Sequence, residues 1–596
     1  MMSLRINIDR MIIWLLGAIF IVPFLITANY YPLPKFYAEV SCLILVLTLI
    51  LLIIYRIKMI HIPVVSIGCF LFAFLLLLQP FIIQIKIRGI NLSIATEFIV
   101  AACLSFGITS YALQSQHFLY KIIKTITWSI VLSATIQSIY GLLQLTKLAS
   151  DLNGYVLYID NFSYHIFGNF GQRNNYADFL SIGIVTLSYL FLIKRIRINY
   201  YICYLLIFMY LISVTAARTP FLYFFIILLY AIYLYFNKRN IGAQTEKAAL
   251  YLFIGLIFMF SIIEYFSPIL TMLITNNSSI TNSGLLRISF STSDVATYRR
   301  FYEWYKALLI FWQHPLVGVG WFQYQFSALS LMLDPEFSSI PPNSGLFTNC
   351  HNLFFMLLAE TGISGFLIIT LTLIIASWQI FKMDLKETKY FTFPAFLVVL
   401  IHSLVEYPLW DFYFLAFVVI FLSINKPIFR FRNSIYFKLV ATGIYLLVIY
   451  VLGRQVIEYQ KLLVKSVIPM SNQQALQNIS ELEMLIQQNN FLAWPALLVL
   501  NLYIDPDKTP ELQSIISLDT QLYYINLLVN EYPTPDILLK QIILAKQNGD
   551  QLLSLYYANL FIHAYPLLKE GAKIKLSGMG EFAAELDIIN KFNSLN

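Results

Sequence analysis

Charged residues are scarce in this sequence. Asp, Glu, Lys and Arg make up only 12% of the 596 residues, which is about half of their usual share in soluble domains. Hydrophobic residues make up 59%, and many apolar runs reach the roughly 18–20 residues with which a helix crosses a bilayer. This composition excludes a soluble protein and predicts an all-α, polytopic membrane protein.

The motifs of nucleotide and metal chemistry are also missing. The chain has no GxxxxGK[ST] loop, no HExxH and no CxxC, and its aspartates are too scattered for a DxD site. Its five cysteines are odd in number and mostly lie in apolar runs, where cysteine usually acts as a small hydrophobic residue. We therefore expect no cofactor and no metal. The net charge of +8 has a membrane explanation and does not indicate a nucleic-acid partner.

The apolar runs predict about thirteen membrane-spanning helices. They lie at roughly 11–29, 35–55, 62–84, 94–113, 121–144, 175–193, 199–215, 219–236, 249–270, 351–381, 391–407, 409–424 and 435–452.

Lysine and arginine are unevenly divided between the two sets of short loops. One set carries most of them, whereas the other holds only Lys35, Lys86, Arg88, Lys147, Arg173 and Arg218. Because cytoplasmic loops are enriched in Lys and Arg, the N-terminus is predicted to be cytoplasmic. An odd number of spans then places the C-terminus on the outer side.

Three segments on the outer side are long, namely residues 145–174, 271–350 and 453–596. Loops of more than about 15 residues are usually functional or disordered, and the first two carry unusual polar residues. Within the second, Phe301 to Gln313 is aromatic and predicts a helix lying in the membrane interface. We therefore predict a transmembrane domain at 1–452 that includes both loops.

The tail has the composition of an ordinary soluble domain and predicts a helical domain at 453–596, outside the membrane. Residues 533–565 read as two helices with a break at Gly549 and Asp550. That pattern is typical of TPR-like helix-hairpin repeats, although a single copy is weak support.

The most informative stretch is Cys350-His351-Asn352, at the mouth of a long apolar run. On an unbroken helix of 100° per residue, His351 shares one face with Gly362 and Gly365, whereas Glu360 lies nearly opposite. This face allows a neighbour to approach closely. We do not pair Glu360 with His351, so the group that orients His351 is not identified. Taken alone, His351 is as compatible with an interface residue as with a base.

Other polar residues are predicted at the same outer level. Gln172 and Arg173 open span six, and a helix N-terminus with an arginine is a natural anion site. Arg218 lies in the short loop between spans seven and eight, and Arg300 precedes the interfacial helix. The alternative for these arginines is snorkelling to lipid headgroups.

Span eleven ends in IHSLVEYPLWDF, where His402, Glu406 and Tyr407 precede Pro408. Ionisable residues within a membrane segment are functional hypotheses by default. Glu406 and Tyr407 are candidates for positioning a sugar or orienting His351. The alternative is a buried pair that stabilises the kink at Pro408.

Together these residues predict arginines and a histidine above the lipid phase. Arginine binds a diphosphate bidentately and stays charged. A histidine with a pKa near neutrality suits the removal of a proton from a hydroxyl. A lipid-linked diphosphate donor and a hydroxyl acceptor would use both groups.

Four segments resemble known families. HNLFFMLLAETGISG at 351–365 and RFYEWYKALLIFWQHPLVGVGW at 300–321 resemble the O-antigen ligase and polymerase superfamily. FGNFGQRNNYADFL at 167–180 and HSLVEYPLWDFYFL at 402–415 resemble its PglL-type bacterial protein O-oligosaccharyltransferases. The resemblance covers roughly residues 120–425 and also fits a soluble C-terminal extension.

The resemblance implies a GT-C-type transferase of the Gram-negative inner membrane that needs no metal. It implies en bloc transfer of a glycan from undecaprenyl diphosphate to Ser or Thr of a periplasmic protein, of which pilin is a common example. It assigns the catalytic role to His351 and diphosphate binding to Arg173, Arg218 and Arg300. It also implicates Gln172 and Tyr407 in activity. We predict that Gln172, Asn352, Glu406 and Tyr407 position the substrate.

Two alternatives stay open. An O-antigen ligase or a polymerase of glycan repeats shares the chemistry and differs in the acceptor. A transporter of lipid-linked sugar is a non-enzyme reading, which the intramembrane acids Glu97 and Asp178 keep open.

Overall fold

The computed structural model describes residues 2–152, 154–159, 166–237, 243–275, 295–338, 346–383, 385–469, 471–506 and 516–572. These residues are mostly helical, with one two-stranded sheet. The predicted all-α polytopic class is confirmed. The stretches at 276–294, 339–345 and 573–596, on which parts of the predicted outer loop and tail fall, lie outside the described residues.

The first nine helices are α1 (Met2–Ile19), α2 (Phe36–Arg56), α3 (Val64–Ile82), α4 (Gly89–Ala112), α5 (Gln116–Leu145), α6 (Arg173–Leu192), α7 (Ile198–Val214), α8 (Thr219–Phe236) and α9 (Ala243–Thr275). Next come α10 (Val295–Gln313), α11 (Tyr324–Ser330), α12 (Pro335–Ser338), α13 (Leu353–Phe381), α14 (Phe393–Ser403), α15 (Phe412–Ser423) and α16 (Ile435–Lys465). The tail contains α17 (Asn472–Gln488), α18 (Ala493–Leu500), α19 (Leu518–Glu531), α20 (Pro535–Gln547) and α21 (Gln551–Ala564). Strands β1 (Met59–Pro63) and β2 (Pro427–Arg432) pair antiparallel.

Each of the thirteen predicted spans overlaps a helix. Within the described ranges, nine helices are long and apolar enough to cross a membrane, namely α2 to α6, α8, α9, α13 and α16. The shorter or less apolar α1, α7, α14 and α15 occupy the remaining predicted positions. The chain is therefore a multi-pass membrane protein.

The first helix differs most from its predicted limits. It occupies Met2–Ile19, whereas the apolar run predicted roughly 11–29. The helix includes Asp9 because Arg56 of α2 binds this carboxylate at 2.7 Å. It ends before Pro23, which lies in a separate 3₁₀ turn.

Helices α6 and α15 form the centre of the bundle. Every residue of α15 is buried, and so are 89% of the residues in an 18-residue apolar stretch of α6. The hydroxyls of Ser181, Thr186 and Ser188 donate to carbonyls one turn earlier in α6, each at 2.7 Å. These bonds satisfy the hydroxyl donors within the helix itself. The first residues of α6 are thus held on a tightly packed element.

Helix α13 is broken at Gly362, so the prediction of an unbroken helix is wrong there. Gly362 has φ 61° and ψ −164°. At this break the Ile363 N–H donates to the Pro315 carbonyl at 2.8 Å, and the Val319 N–H donates to the Ala359 carbonyl at 3.0 Å. A side chain at Gly318 or Gly362 would collide with the facing backbone. The predicted close approach is real: the 315–320 segment lies against Gly362, and Phe72 of α3 lies against Gly365.

Glu360 joins this structure as a structural acceptor. Its side-chain Oε1 accepts from the Tyr324 N–H at 3.3 Å, and its carbonyl accepts from the Gln79 side chain at 2.6 Å. The carboxylate thereby binds the start of α11, away from His351.

The interfacial helix α10 begins earlier than predicted, so that Arg300 lies within it. Phe301 and Trp312 are exposed, whereas the opposite face buries Arg299, Glu303 and Lys306. The Lys306 ammonium lies 3.1 Å from the Glu303 carboxylate, which also accepts from the Tyr324 hydroxyl at 2.8 Å. This network satisfies the buried charges and fixes the orientation of α10.

The tail packs against the end of the bundle that carries α10 and α11. Helix α16 continues to Lys465, beyond the predicted boundary at 452. Helices α20 and α21 form a hairpin that turns at Gly549, where φ is 80°, and Asp550 caps α21. The Gln323 side chain donates to Glu531 of α19 at 2.6 Å, which joins the tail to the segment beyond α10.

Candidate active site

The predicted site residues gather at one end of the bundle, which we call the site end. Arg173 begins α6, Arg218 immediately precedes α8, and His351 lies two residues before α13. Glu406 and Tyr407 lie in the turn between α14 and α15. Three helix N-termini and one turn therefore meet here, which places partial positive charge and fixed cations at one level.

His351 is held in a defined orientation by Asn349. Its backbone is left-handed, with φ 54°. The Asn349 side chain accepts the His351 N–H at 2.9 Å, and the Asn349 carbonyl lies 3.2 Å from Nδ1. With Nδ1 donating to this carbonyl, Nε2 keeps a free lone pair. Asn349 is thus the orienting group that the sequence did not identify.

Asn352 caps the helix that follows His351. Its side-chain oxygen accepts from the N–H groups of Phe354 at 3.0 Å and Phe355 at 3.2 Å. Its side-chain nitrogen donates to the Leu404 carbonyl at 3.1 Å. These bonds join the start of α13 to the turn that carries Glu406 and leave the Asn352 side chain committed to the scaffold.

Glu406 is the polar centre of the site. Its Oε1 accepts from Arg300 at 3.1 Å and from the Asn174 side chain at 3.0 Å. Its Oε2 lies 3.8 Å from His351 Nε2. The carboxylate side chain is only 8% exposed, so these contacts act in a poorly solvated environment. Its partners come from α6, α10 and the turn before α13, rather than from Tyr407 as in the kink-stabilising alternative.

Arg173 and Arg218 extend the positive charge beyond Glu406. Arg173 lies within electrostatic range of both Glu406 and Arg218. Arg218 also lines an apolar groove between α8 and α9 together with Phe221 and Ile257. Gln172 occupies the N-cap position of α6 without a side-chain capping bond. The structure therefore brings all three predicted arginines and Gln172 to the site end.

The surroundings of His351 favour its neutral form. Burial lowers the pKa of His351 below its ordinary value, the Glu406 carboxylate opposes this, and the Arg300 guanidinium lowers it further. A neutral imidazole is the form that accepts a proton. The ring of Tyr407 meets that of His351 edge to face at 5.7 Å. Burial, together with Glu406, raises the pKa of Tyr407 to about 12, so its hydroxyl stays protonated.

A cavity of about 110 Å³ opens beside these groups. His351, Glu406 and Tyr407 line one end, and mostly apolar side chains of α3, α4, α13 and α15, together with Glu97 of α4, line the remainder. Leu353 and Leu373, both in the lining, lie on α13 on either side of the break at Gly362. The cavity therefore joins a polar end to an apolar channel.

Three functional features were missed from the sequence. Asn174 binds Glu406, although its sequence position indicated no role beyond following Arg173 at the start of span six. Asn349 orients His351, and an asparagine before a turn was the available signal. His402 was grouped with Glu406, yet it is fully buried and faces Asp178 instead of the cavity.

Two family models match parts of the chain. A family model described as O-antigen ligase matches residues 203–370, which include Arg218, Arg300 and His351. A second, described as the C-terminal part of a virulence factor membrane-bound polymerase, matches residues 391–573, which include Glu406.

Two curated relatives come from Acinetobacter baylyi. The chain is 26% identical over 287 residues to a general O-oligosaccharyltransferase, and 23% identical over 296 residues to a ComP-specific O-oligosaccharyltransferase. The alignments cover 47% and 49% of this chain and the same shares of the relatives, so the chain spans about half the length of the curated relatives it matches. The chain is therefore similar to the O-antigen ligase family and to O-oligosaccharyltransferases.

Proposed function

We propose that this protein is a protein O-oligosaccharyltransferase. It transfers a glycan en bloc from undecaprenyl diphosphate to a Ser or Thr hydroxyl of a periplasmic protein, with pilins among the candidate acceptors. The observation that carries this proposal is that His351 and Glu406 together line the polar end of an apolar cavity, with Arg300 bound to the same Glu406 carboxylate. The relatives' names support glycan transfer to an oxygen atom.

The two parts of the donor bind at opposite ends of the cavity. Its polyprenyl tail occupies the apolar channel, and its diphosphate is held by Arg173, Arg218 and Arg300. Arg300 is bound to Glu406 at 3.1 Å before the donor arrives. Diphosphate oxygens compete for this guanidinium, so donor binding shifts Arg300 away from Glu406. The carboxylate charge is then available to His351.

The transfer step is a single displacement. The Nε2 atom of His351 takes the proton of the acceptor hydroxyl as that oxygen bonds to the anomeric carbon. The bond from the anomeric carbon to the diphosphate oxygen breaks at the same time, and undecaprenyl diphosphate leaves with the electron pair. The arginines stabilise the charge on the leaving group. Glu406 stabilises the protonated His351, and the configuration at carbon inverts.

The uneven distribution of Lys and Arg supports a periplasmic location for the site end in the inner membrane. This assignment puts the N-terminus in the cytoplasm and the tail in the periplasm. The acceptor protein then reaches the site without crossing the membrane.

Transfer by the purified protein in detergent tests the proposal. The reaction contains undecaprenyl-diphosphate glycan and a periplasmic acceptor protein, with intact mass and the anomeric configuration by NMR as the readouts. We expect glycosylated acceptor with inverted configuration. Transfer with retained configuration would contradict the single displacement, and no transfer to any protein acceptor would contradict the function.

A second candidate is an O-antigen ligase or a polymerase of lipid-linked glycans. The match of residues 391–573 to a membrane-bound polymerase favours it. A deletion strain separates the two activities. Loss of glycan from periplasmic proteins with an unchanged lipopolysaccharide ladder supports protein transfer, whereas a changed ladder with unchanged proteins supports the second candidate.

The transporter alternative has less support. Asp178 faces His402 within the bundle instead of lining the cavity beside His351. The other acid, Glu97, does line the cavity. Glycan transfer in detergent, where there is no membrane to cross, excludes a transport-only function.

A further inference from the structure

A buried carboxyl–imidazole pair lies one helical turn below Glu406. Asp178 of α6 and His402 of α14 are both 0% exposed, and Oδ1 of Asp178 lies 3.3 Å from Nδ1 of His402. Neither residue lines the cavity that contains His351. Burying such groups within a membrane protein is costly, so their retention calls for a role.

The pair repeats a contact of the candidate site. Asn174 and Asp178 are four residues apart on α6, and His402 and Glu406 are four residues apart on the facing segment. Asn174 binds Glu406 at 3.0 Å, and Asp178 faces His402 one turn deeper. The helical hydrogen bond from the Glu406 N–H to the His402 carbonyl, at 2.8 Å, joins the two levels. The Asp178–His402 contact therefore fixes the register of the Asn174–Glu406 contact.

His402 also contacts the helix that follows Arg218. Its ring stacks on that of Tyr223 in α8, with centroids 6.2 Å apart and an interplanar angle of 20°. Tyr223 is fully buried as well. One imidazole thus touches both α6, which begins with Arg173, and α8, which begins after Arg218.

We propose that Asp178 and His402 are positioning residues that set the register of α6, α8 and α14. Through this register they place Asn174 against Glu406 and bring Arg173 and Arg218 to the same level. Neither touches substrate. This inference rests on the proposed glycosyl transfer, because it assigns these residues to the geometry of that site.

Removing one member of a buried pair usually destabilises a protein, so the variants must preserve shape. Asp178→Asn is isosteric and removes the charge. The double variant Asp178→Ala with His402→Phe removes the contact, keeps a ring against Tyr223 and leaves no unpaired buried charge. A matched control is Ser188→Ala with Tyr201→Phe, which removes a buried 3.2 Å contact between α6 and α7 away from the site.

The test measures kcat, KM for the lipid-linked donor and thermal stability in detergent for each variant. Asp178→Asn and the double variant are expected to lower kcat about tenfold or more, because small displacements of catalytic groups have large effects on rate. The control is expected to keep wild-type kcat even where its thermal stability falls. Equal kcat losses in control and test variants at equal stability would overturn the proposal.

A double-mutant cycle with Asn174→Ala gives a second readout. Asp178 is proposed to act through the Asn174–Glu406 contact. If so, the fold-loss of kcat in the variant that combines Asp178→Asn with Asn174→Ala is smaller than the product of the fold-losses in the two single variants. Independent, multiplicative effects would contradict positioning. This cycle uses the isosteric variant, so it stays decisive if the double variant does not insert.

Failure of this inference is distinguishable from failure of the function. Inactive wild-type protein that also fails to bind undecaprenyl diphosphate contradicts the proposed function. Active wild-type protein with wild-type kcat in Asp178→Asn contradicts only the positioning role.

Discussion

At the scale of single residues, the basicity of His351 depends on two opposing neighbours. Burial and Arg300 lower its pKa, and Glu406 raises it. Since the base acts when it is neutral, activity should rise with pH through the pKa of His351. We expect the acidic limb of kcat/KM to have its midpoint below about 6.5, the ordinary histidine value. A pH–rate profile of the purified enzyme measures it, and a midpoint well above that value would contradict this environment.

Replacing Glu406 tests its role beside the base. In Glu406→Gln the carboxylate no longer raises the pKa of His351, so the acidic limb should move to lower pH. The weaker base and the unsupported imidazolium should lower kcat by about tenfold or more. The matched control is Glu481→Gln, which removes an acid paired with Lys465 in the tail and should change neither quantity. A limb that moves to higher pH would show that Glu406 does not act electrostatically on His351.

The sequence was informative about these residues because charge stands out in an apolar chain. His351, Arg173, Arg218 and Glu406 each interrupt a hydrophobic context, and all four lie at the site end. The pairing of Asp178 with His402 could not be predicted, because it depends on how α6 crosses α14. Asn349 was missed because its role depends on a local turn conformation, not on residue type.

At the scale of elements, the break in α13 determines where the 315–320 segment lies. Gly362→Ala should destabilise the protein by about 1–3 kcal/mol, because a left-handed backbone and a close carbonyl oppose a side chain there. Gly255→Ala in α9 is the control, since that position has no neighbour within 4 Å. Thermal unfolding in detergent compares the two variants. Equal melting temperatures would contradict the account of the break.

Hydrophobic runs predicted helices well but predicted their interruptions poorly. The spans at 351–381 and 35–55 match α13 and α2 within about two residues at each end. The break at Gly362 was missed because glycine is common in apolar membrane helices. Nothing in the local sequence indicates that the 315–320 segment packs against the helix at this point. The early start of α10 was missed because its buried charges resemble a polar loop in sequence.

At the scale of the whole molecule, the tail and the membrane bundle meet at a buried acid. Glu531 is almost fully buried and accepts from Gln323 at 2.6 Å. Burial raises the pKa of Glu531 from 4.5 to about 8, against the effect of its hydrogen bonds. A raised folded-state pKa means that protonation favours folding. Its stabilising contribution is therefore complete below pH 4.5 and is lost as pH rises to about 8.

The variant Glu531→Gln removes this titration while keeping the shape of the side chain. We expect it to melt at a higher temperature than wild type at pH 8.5 and at a similar temperature near pH 4.5. Thermal unfolding of the full chain at both values measures the difference. A lower melting temperature of the variant at pH 8.5 would show that the ionised carboxylate stabilises this contact.

The overall architecture followed from composition more directly than the arrangement of its parts. Length, apolar runs and the Lys and Arg bias predicted a polytopic helical bundle with a helical tail. They did not predict that α19 of the tail would bind the segment next to the site through Gln323. Contacts between elements distant in sequence depend on side-chain packing, which hydropathy does not encode.

The central claim is that His351 is the base for glycan transfer from a lipid-linked donor. The most direct measurement is the intact mass of an acceptor protein after incubation with donor and purified wild type, His351→Ala or His314→Ala. His314 is the control because it is exposed at the end of α10. The account predicts glycosylated acceptor with wild type and His314→Ala, and none with correctly folded His351→Ala. Wild-type glycosylation by His351→Ala would contradict it.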